Sequence, residues 1–310
     1  MNFREAQQED IPQIVELLKA SLGEGLIPKS EDLWRWKHER NPFGKSLVIV
    51  AEVNEKLVGV RAFLRWRWLQ NSKSLDALRA VDTAVLPEMQ GQGIFSRLTK
   101  QLAKKAADDG FQFIFNTPNK KSLPGYLKLG WRKLGKVNLA IQFNHIFPKN
   151  SQSIDCQPIV DFEKLGFYDF NNSKCGISTS YSLAYIKWRY FENPLFKYEF
   201  ATDYATYLLI YRFKISKGLR ELRIVDFFVL KNGVEIELNS LRDKLRKIQE
   251  TVHFTSCALN GDVHLFQKLG KFWKIPFGPV LTVKALNFDL SQVSELSKEW
   301  NYSIGDLELF

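Results

Sequence analysis

Several features that mark particular protein classes are scarce in this chain of 310 residues. Its three cysteines, Cys156, Cys175 and Cys257, are odd in number and widely spaced, which argues against a disulfide framework. Its four histidines show no HxH or HExxH spacing, so we expect no metal site. No apolar run approaches the roughly 18 residues of a membrane span, and the opening MNFREAQQED is too polar for a signal peptide. These absences favour a cytoplasmic protein without a membrane partner.

Positive charge, in contrast, is in excess, because the formal net charge is +10. Such an excess suits nucleic acid, a membrane surface or a polyanionic small ligand. The basic residues are spread along the chain, and the densest cluster, SLRDKLRKIQ at residues 240–249, is interrupted by Asp243. That pattern is typical of a solvated helix face. The charge therefore selects no partner, and we do not expect nucleic acid.

The chain resembles itself weakly at three places that keep the same order in both halves. WKHERNP from residue 36 resembles WRYFENP, RAVDTAV from residue 79 resembles RIVDFFV, and YLKLGWRKLG from residue 126 resembles LFQKLGKFWK. The offset shrinks slowly along the chain, from 152 to 144 to 140 residues. This pattern indicates a duplicated fold with small deletions in the second copy. We place the boundary in the polar stretch FPKNSQSIDCQP, which gives domains at residues 1–148 and 149–310.

Hydrophobic periodicity predicts a mixed α/β layer in the first copy, with one parallel crossover. The predicted order is two helices, three strands, then helix, strand, helix and strand, the last strand being WRKLGKVNLAIQF at residues 131–143. The first two strands form a hairpin through Asn54 and Glu55. The tryptophans come as two W-x-W pairs, for which we favour core or interdomain packing over a stacking wall for a sugar or aromatic amine. They are Trp34, Trp36, Trp66 and Trp68.

A glycine-rich turn, PEMQGQGIF at residues 87–95, joins a predicted strand to a predicted helix. Glycine adopts positive φ angles and lets a ligand approach the backbone. The first helical turn has N–H groups without partners, and the helix dipole favours anions there. The turn is therefore a candidate phosphate site, although a ligand-free turn has a similar sequence. In the second copy its place is held by KNGVEIELNS.

Three motifs in one block resemble the GNAT acyltransferase superfamily. They are VLPEMQGQGIFSRL, the strand-like FIFNTPN, and NKKSLPGYLKLGW, in which Tyr126 follows Asn119 by seven residues. Phe95 departs from the family pattern, which has glycine or alanine there. The resemblance implies an α/β GNAT-like fold, with a central mixed, mostly antiparallel twisted sheet flanked by helices. We expect this fold to be duplicated in tandem, with a degenerate second copy.

The resemblance also implies acetyl-CoA as the cofactor, with its pyrophosphate on the glycine-rich turn. Backbone groups of Ala84 and Val85 on the preceding strand would lie beside the pantetheine arm. Asn116 and Asn119 would contact the cofactor or cap a helix, and Asn119 is the better cap. Arg97 or Lys100 would meet the outer phosphates or form a solvated surface. The residues expected on the turn are Gln90, Gly91, Gln92, Gly93, Ile94, Phe95 and Ser96.

Tyr126 is the best candidate for protonating the departing thiolate, the other possibility being an ordinary half-buried tyrosine. Asp82 is a candidate base, ranked below a water relay because Asp226 occupies the matching place in the copy without the turn. A residue retained there is more simply structural, paired with Arg79 or Arg223. The cysteines lie outside the motif block, so we expect direct transfer without an acyl-cysteine.

These observations predict an acetyl-CoA-dependent N-acyltransferase acting on a small-molecule amine, with an amino sugar as one option. The second copy would shape the acceptor cleft. Two alternatives stay open, a non-catalytic acyl-CoA-binding protein and a tandem aminoacyl transferase that uses tRNA. The intact QGQG turn argues against the aminoacyl transferase, and Tyr126 argues against the non-catalytic binding protein. Neither the acceptor nor the oligomeric state follows from the sequence.

Overall fold

The computed structural model describes residues 1–23, 27–149, 160–171, 176–230, 238–258, 269–275, 277–289 and 298–307. The helices are α1 (Ile11–Leu22), α2 (Glu31–His38), α3 (Ile94–Asp108), α4 (Leu123–Lys128), α5 (Phe162–Leu165), α6 (Leu183–Ile186), α7 (Leu238–Gln249) and α8 (Ile304–Leu307). The strands are β1 (Asn2–Glu5), β2 (Leu47–Val53), β3 (Lys56–Gln70), β4 (Lys73–Val85), β5 (Phe113–Asn116), β6 (Arg132–Lys136), β7 (Leu139–Phe143), β8 (Ile177–Thr179), β9 (Glu199–Thr202), β10 (Tyr207–Ser216), β11 (Leu219–Val229), β12 (Phe254–Ala258), β13 (Trp273–Ile275) and β14 (Val280–Ala285). No helix among these residues is long and apolar enough to cross a membrane.

The first sheet has the strand order β1-β2-β3-β4-β5-β14-β6, and β8 pairs with the far end of β3. Its pairs are antiparallel except β4 with β5, so the predicted mixed sheet with one parallel crossover is confirmed. Asn54 and Glu55 take φ angles of 48° and 62°, as a tight hairpin turn requires. Helix α3 buries Ile94, Leu98 and Leu102 at helical spacing against this sheet.

The second sheet has the order β13-β7-β12-β11-β10-β9, in which β11 and β12 are parallel. Helix α7 covers one face of it with Leu241, Leu245 and Ile248, which recur at helical spacing and are buried. Both sheets are therefore mixed and flanked by helices, as the predicted fold class requires.

The two sheets exchange strands. Residues 131–143 were expected to form a single strand, and this expectation was wrong. The segment instead breaks at Val137 and Asn138, so that β6 joins the first sheet and β7 the second. Strand β14 enters the first sheet between β5 and β6 from late in the chain. The division at residues 148 and 149 stays a prediction, and strands cross it in both directions.

A pair of tryptophans from matching positions of the sequence repeat joins the two halves. The rings of Trp36 and Trp188 stack with their centroids 5.0 Å apart. Each indole N–H donates to the backbone oxygen of the other residue over 2.8 Å. Trp66 and Trp68 are fully buried nearby, so the W-x-W pairs form core and not a stacking wall. Matching residues that exchange matching bonds form an isologous contact within one chain.

Some sequence-based expectations fall outside the described residues. They concern most of the proposed linker at residues 147–158, Cys156, Cys175, most of KNGVEIELNS, and the start of LFQKLGKFWK. Cys257 is described and buried, and burial raises the pKa of its thiol well above the ordinary range.

Candidate active site

The glycine-rich turn leads from β4 through a short 3-10 turn, Pro87–Met89, into α3. Gly91 and Gly93 have φ angles of 78° and 76°, in the left-handed region, and Gly93 is the N-cap of the helix. The first helical bond runs from Arg97 N–H to Gly93 O over 3.0 Å. The N–H groups in the turn before it therefore lack helical acceptors. A Cβ built on either glycine meets no atom within 4 Å, so the turn is an open cradle for an anion.

Strands β4 and β5 separate beside this turn. Their parallel pairing covers only Ala77 to Arg79 with Phe113 to Phe115, whereas β4 continues to Val85. Beyond the split, the register between β3 and β4 shifts at Asp82, whose φ angle is +36°. This irregularity is a β-bulge, and it turns the strand as it reaches the glycines. The gap between the two strands opens into a large cavity.

The cavity has a volume of about 1590 Å³ and lies between the two sheets. The first half supplies the end of β4, the glycine-rich turn and Tyr126, and the second half supplies parts of β10, β11 and β12. Of the residues predicted for the site, Gln92 and Ser96 do not line the cavity. The others do: Asp82, Ala84, Val85, Gln90, Gly91, Gly93, Ile94, Phe95, Asn116, Asn119 and Tyr126.

Tyr126 is 5% exposed, and its hydroxyl oxygen accepts a hydrogen bond of 2.8 Å from Nη1 of Arg61. An arginine only donates, so this contact occupies an acceptor position of Oη and leaves the tyrosine hydrogen for another partner. The ring of Phe95 meets the Tyr126 ring edge-on, with 5.7 Å between centroids. The bulky residue that departs from the family pattern therefore packs directly against the candidate acid.

Arg61 was missed in the sequence analysis. Its side chain is fully buried in β3, donates also to Thr83 Oγ1, and lies over the rings of Phe63, Phe95 and Tyr126. Within the described part of the chain its Nε and Nη2 atoms have no hydrogen-bond partner. Burying a cation without a paired carboxylate costs free energy, so the presence of Arg61 here points to a function. The only signal in the sequence was an arginine inside the apolar run LVGVRAFL.

Asp82 forms an ion pair with Lys37, with Nζ and Oδ2 2.5 Å apart. The same oxygen lies 2.8 Å from Nε2 of His38, whose Nδ1 meets Ser46 Oγ. Burial acts to raise the pKa of the Asp82 carboxyl, but the charge of Lys37 and the His38 bond outweigh it and lower this pKa well below its usual range. Burial lowers the pKa of His38 and so favours its neutral imidazole. A carboxylate held this way is a weak base.

Asp82 is paired with Lys37 and His38 and not with Arg79, so that expected pairing was wrong. Arg79 donates to the backbone oxygens of Asp306 and Leu307, and burial lowers its pKa to about 9. In the second half, Asp226 accepts a bond from the hydroxyl of Tyr190, which matches His38 in the repeat. The aspartates in both halves therefore hold helix α2 or its counterpart, through a different partner in each.

The two asparagines differ in their contacts. Asn119 Oδ1 accepts from the backbone N–H groups of Lys121 and Ser122, so it caps the turn before α4, as expected. Asn116 is buried and its Oδ1 accepts from the hydroxyl of Thr282 on β14. Arg97, a candidate for the outer phosphates, is exposed and lies over the ring of Phe3, 4.3 Å from its centroid.

Residues 2–134 match the family model of the acetyltransferase (GNAT) domain. A comparison with curated proteins found no match. Solved structures share the fold across 92–93% of this chain and 73–74% of theirs. They are a GCN5-related N-acetyltransferase from Anabaena variabilis (14% identity, TM-score 0.63), a probable N-acyltransferase from Enterococcus faecalis (11%, 0.64) and Eis1 from Mycobacterium abscessus (12%, 0.60). The part of this chain that carries the glycine-rich turn and Tyr126 is therefore similar to the GNAT acetyltransferase domain.

Proposed function

We propose that the protein is an acetyl-CoA-dependent N-acyltransferase that moves the acetyl group directly to the amine of a small molecule. The observation that carries this proposal is the placement of Tyr126 and the glycine-rich turn on one cavity. A protein that only binds acyl-CoA needs the turn but has no use for a phenol held by a buried arginine. The contact between Tyr126 and Arg61 thus favours an enzyme over a sensor.

The residues of the turn fit coenzyme A. The open cradle at Gly91 and Gly93, with free N–H groups at the start of α3, suits a pyrophosphate. The split between β4 and β5 leaves room for an extended arm beside Ala84 and Val85. Bound there, the cofactor would supply a thioester as the activated acyl donor.

The side chains around the cavity divide the remaining tasks. Tyr126 holds at Oη the proton that the departing thiolate needs, and Arg61 orients that hydroxyl from behind. Asp82, tied to Lys37 and His38, positions α2 against the bulged strand rather than removing a proton. Water is the simpler acceptor for the proton of the amine.

We infer that the second half is a degenerate copy that forms one side of the acceptor cleft. The reciprocal Trp36–Trp188 contact supports the duplication, because it joins matching positions of the repeat. Side chains of β10, β11 and β12 line the cavity opposite the glycine-rich turn. This placement supports a role for the second half in forming the acceptor cleft.

The direct test is a screen of amines with acetyl-CoA, following the release of free thiol. Amino sugars, amino acids, aromatic amines and polyamines belong in the screen. Amine-dependent thiol release, with the acetylated amine identified by mass spectrometry, is the expected result. If acetyl-CoA binds but no amine stimulates thiol release, the protein is a binding protein and the proposal fails.

Replacing Gly93 with valine is expected to raise the Kd for acetyl-CoA about tenfold or more. A β-branched residue at a φ angle of 76° costs about 1–2 kcal/mol in this left-handed conformation, and relieving that strain moves the N–H groups. The matched control is Gly110→Val, at the other end of α3 with a φ angle of 86° and equally open space. Calorimetry that shows equal affinities for the two variants would remove the turn from the binding site.

Titration with acetyl-CoA is expected to give one binding site per chain. The reason is that the glycine-rich sequence occurs in the first half and KNGVEIELNS stands at its place in the second. Calorimetric stoichiometry at saturating protein concentration measures this directly. Two equivalent sites would mean that the second half has kept a binding turn of different sequence.

A further inference from the structure

One face of the second sheet forms a wall of the cavity, and its composition follows from the strand register. Residues paired across neighbouring strands lie side by side on the same face. Two rows of this face cross β10, β11, β12 and β7. The first row is Arg212, Arg223, Ser256 and Ile141, and the second is Lys214, Glu221, Phe254 and Phe143.

The half of this wall on β10 and β11 is cationic. The register places Arg212 directly opposite Arg223, and like charges at such positions repel. Glu221 pairs with Arg223 over 2.8 Å and also accepts a bond from Ser256. Lys214, half-buried, forms no ion pair or hydrogen bond with any residue that the structure describes. The charge of Lys214 therefore has no counter-charge among the described residues.

The other half of the wall is apolar. Phe254 and Ile141 continue the two rows, and Leu139 and Ile275 are paired beside them on β7 and β13. These side chains line the cavity. The wall therefore offers a surface for a hydrocarbon body next to a site for a negative charge.

The charges of the whole cavity lining also favour an anionic ligand. Its described lining holds five basic side chains, namely Lys37, Arg79, Arg212, Lys214 and Arg223, against two acidic ones, Asp82 and Glu221. Both carboxylates are already held by cations of this chain, Asp82 by Lys37 and Glu221 by Arg223. A polycationic acceptor would find no free carboxylate among these lining residues, and an anion would find Lys214.

We propose that the acceptor is an amine that carries a carboxylate, or a similar anion, on an apolar body. Lys214 binds the anion, and the strip around Phe254 and Ile141 binds the body. This inference rests on the proposed function and deepens it, since it names the class of acceptor. It disfavours polyamines and multiply charged amino sugars.

The same cations suit a phosphate of the cofactor, and the experiment separates the two sources of anion. If Lys214 binds the acceptor, Lys214→Gln leaves the Kd for acetyl-CoA unchanged. If it binds a cofactor phosphate, that Kd rises in the variant while the choice among acceptors does not change, and the proposal is overturned.

The test uses three amines that share one ring: 4-(aminomethyl)benzoate, benzylamine and 1,4-bis(aminomethyl)benzene. We expect kcat/KM to be highest for the first and lowest for the third. Lys214→Gln is expected to lower kcat/KM for the benzoate about tenfold, the worth of one charge-assisted hydrogen bond, and to change little for benzylamine. Lys217→Gln, an exposed lysine of the same hairpin outside the cavity, is the matched control for the loss of one charge.

A second measurement is independent of turnover. The unreactive anion 4-methylbenzoate is expected to bind the full-length protein in calorimetry, and more weakly after Lys214→Gln but not after Lys217→Gln. Equal binding by both variants, or a preference for benzylamine or the diamine in turnover, overturns the inference while the proposed function stands. Acetyl-CoA binding without acetylation of any amine instead rejects the function itself.

Discussion

Changing Tyr126 to phenylalanine is expected to lower kcat about 10²- to 10⁴-fold, the usual worth of general acid catalysis. The substitution keeps the ring and its edge-on contact with Phe95, and removes only the hydroxyl that Arg61 orients. The affinity for acetyl-CoA is expected to change little, because the hydroxyl matters as charge develops on sulfur. Steady-state kinetics of thiol release, together with calorimetric binding of acetyl-CoA, measures both quantities.

The matched control is Tyr168→Phe, which also removes one hydrogen-bonded hydroxyl, in this case from a half-buried tyrosine outside the cavity. We expect both variants to lose a similar amount of stability, about 1 kcal/mol, and only Tyr126→Phe to lose activity. Turnover within about twofold of the parent at every pH, well below the expected range, would show that Tyr126 is not the acid. The proton would then come from water or from the substrate ammonium.

Replacing Trp188 with alanine is expected to lower the free energy of unfolding by about 3–5 kcal/mol, as for other buried tryptophans. Trp188 is 2% exposed, stacks on Trp36 and donates to its backbone oxygen. Because this contact joins the two halves, we expect them to lose stability together in one transition. Urea unfolding followed by tryptophan fluorescence and by circular dichroism measures the effect.

Phe167→Ala is the control for this variant, since Phe167 is 88% exposed and surface substitutions change stability by about 0.5 kcal/mol or less. A loss below about 1 kcal/mol for Trp188→Ala, outside the expected range, would contradict a structural role for the pair. Two separate transitions, with only the second half weakened, would show that the halves fold independently.

Local patterns in the sequence predicted much of the first half. The hairpin at Asn54 and Glu55, helix α3 and the turn at Gly91 and Gly93 all depend on neighbouring residues, through side-chain periodicity or backbone freedom. Tyr126 was found because its spacing from Asn119 resembles that of a known family. Such signals act over ten residues or so and are readable without knowing the tertiary fold.

Partners distant in sequence were the part that could not be predicted. Nothing local to residues 131–143 shows that the chain breaks at Val137 and passes to another sheet, because each strand gains its partners from elsewhere. The ion pair of Asp82 with Lys37 likewise joins β4 to α2, and it turned a candidate base into a weak one. Arg61 was missed because a lone charge in an apolar strand has no sequence motif.

Strand β14 lies late in the sequence, and this position affects folding during translation. During synthesis on the ribosome, one edge of β5 stays unpaired until β14, which begins at residue 280 of 310, has been made. Until then an unpaired strand edge is exposed, which is a hazard for aggregation in a nascent chain. The same dependence constrains the history of the gene, because a shortened descendant without the second half would lack a strand between β5 and β6. The first sheet is thus completed by a strand from the second half of the chain.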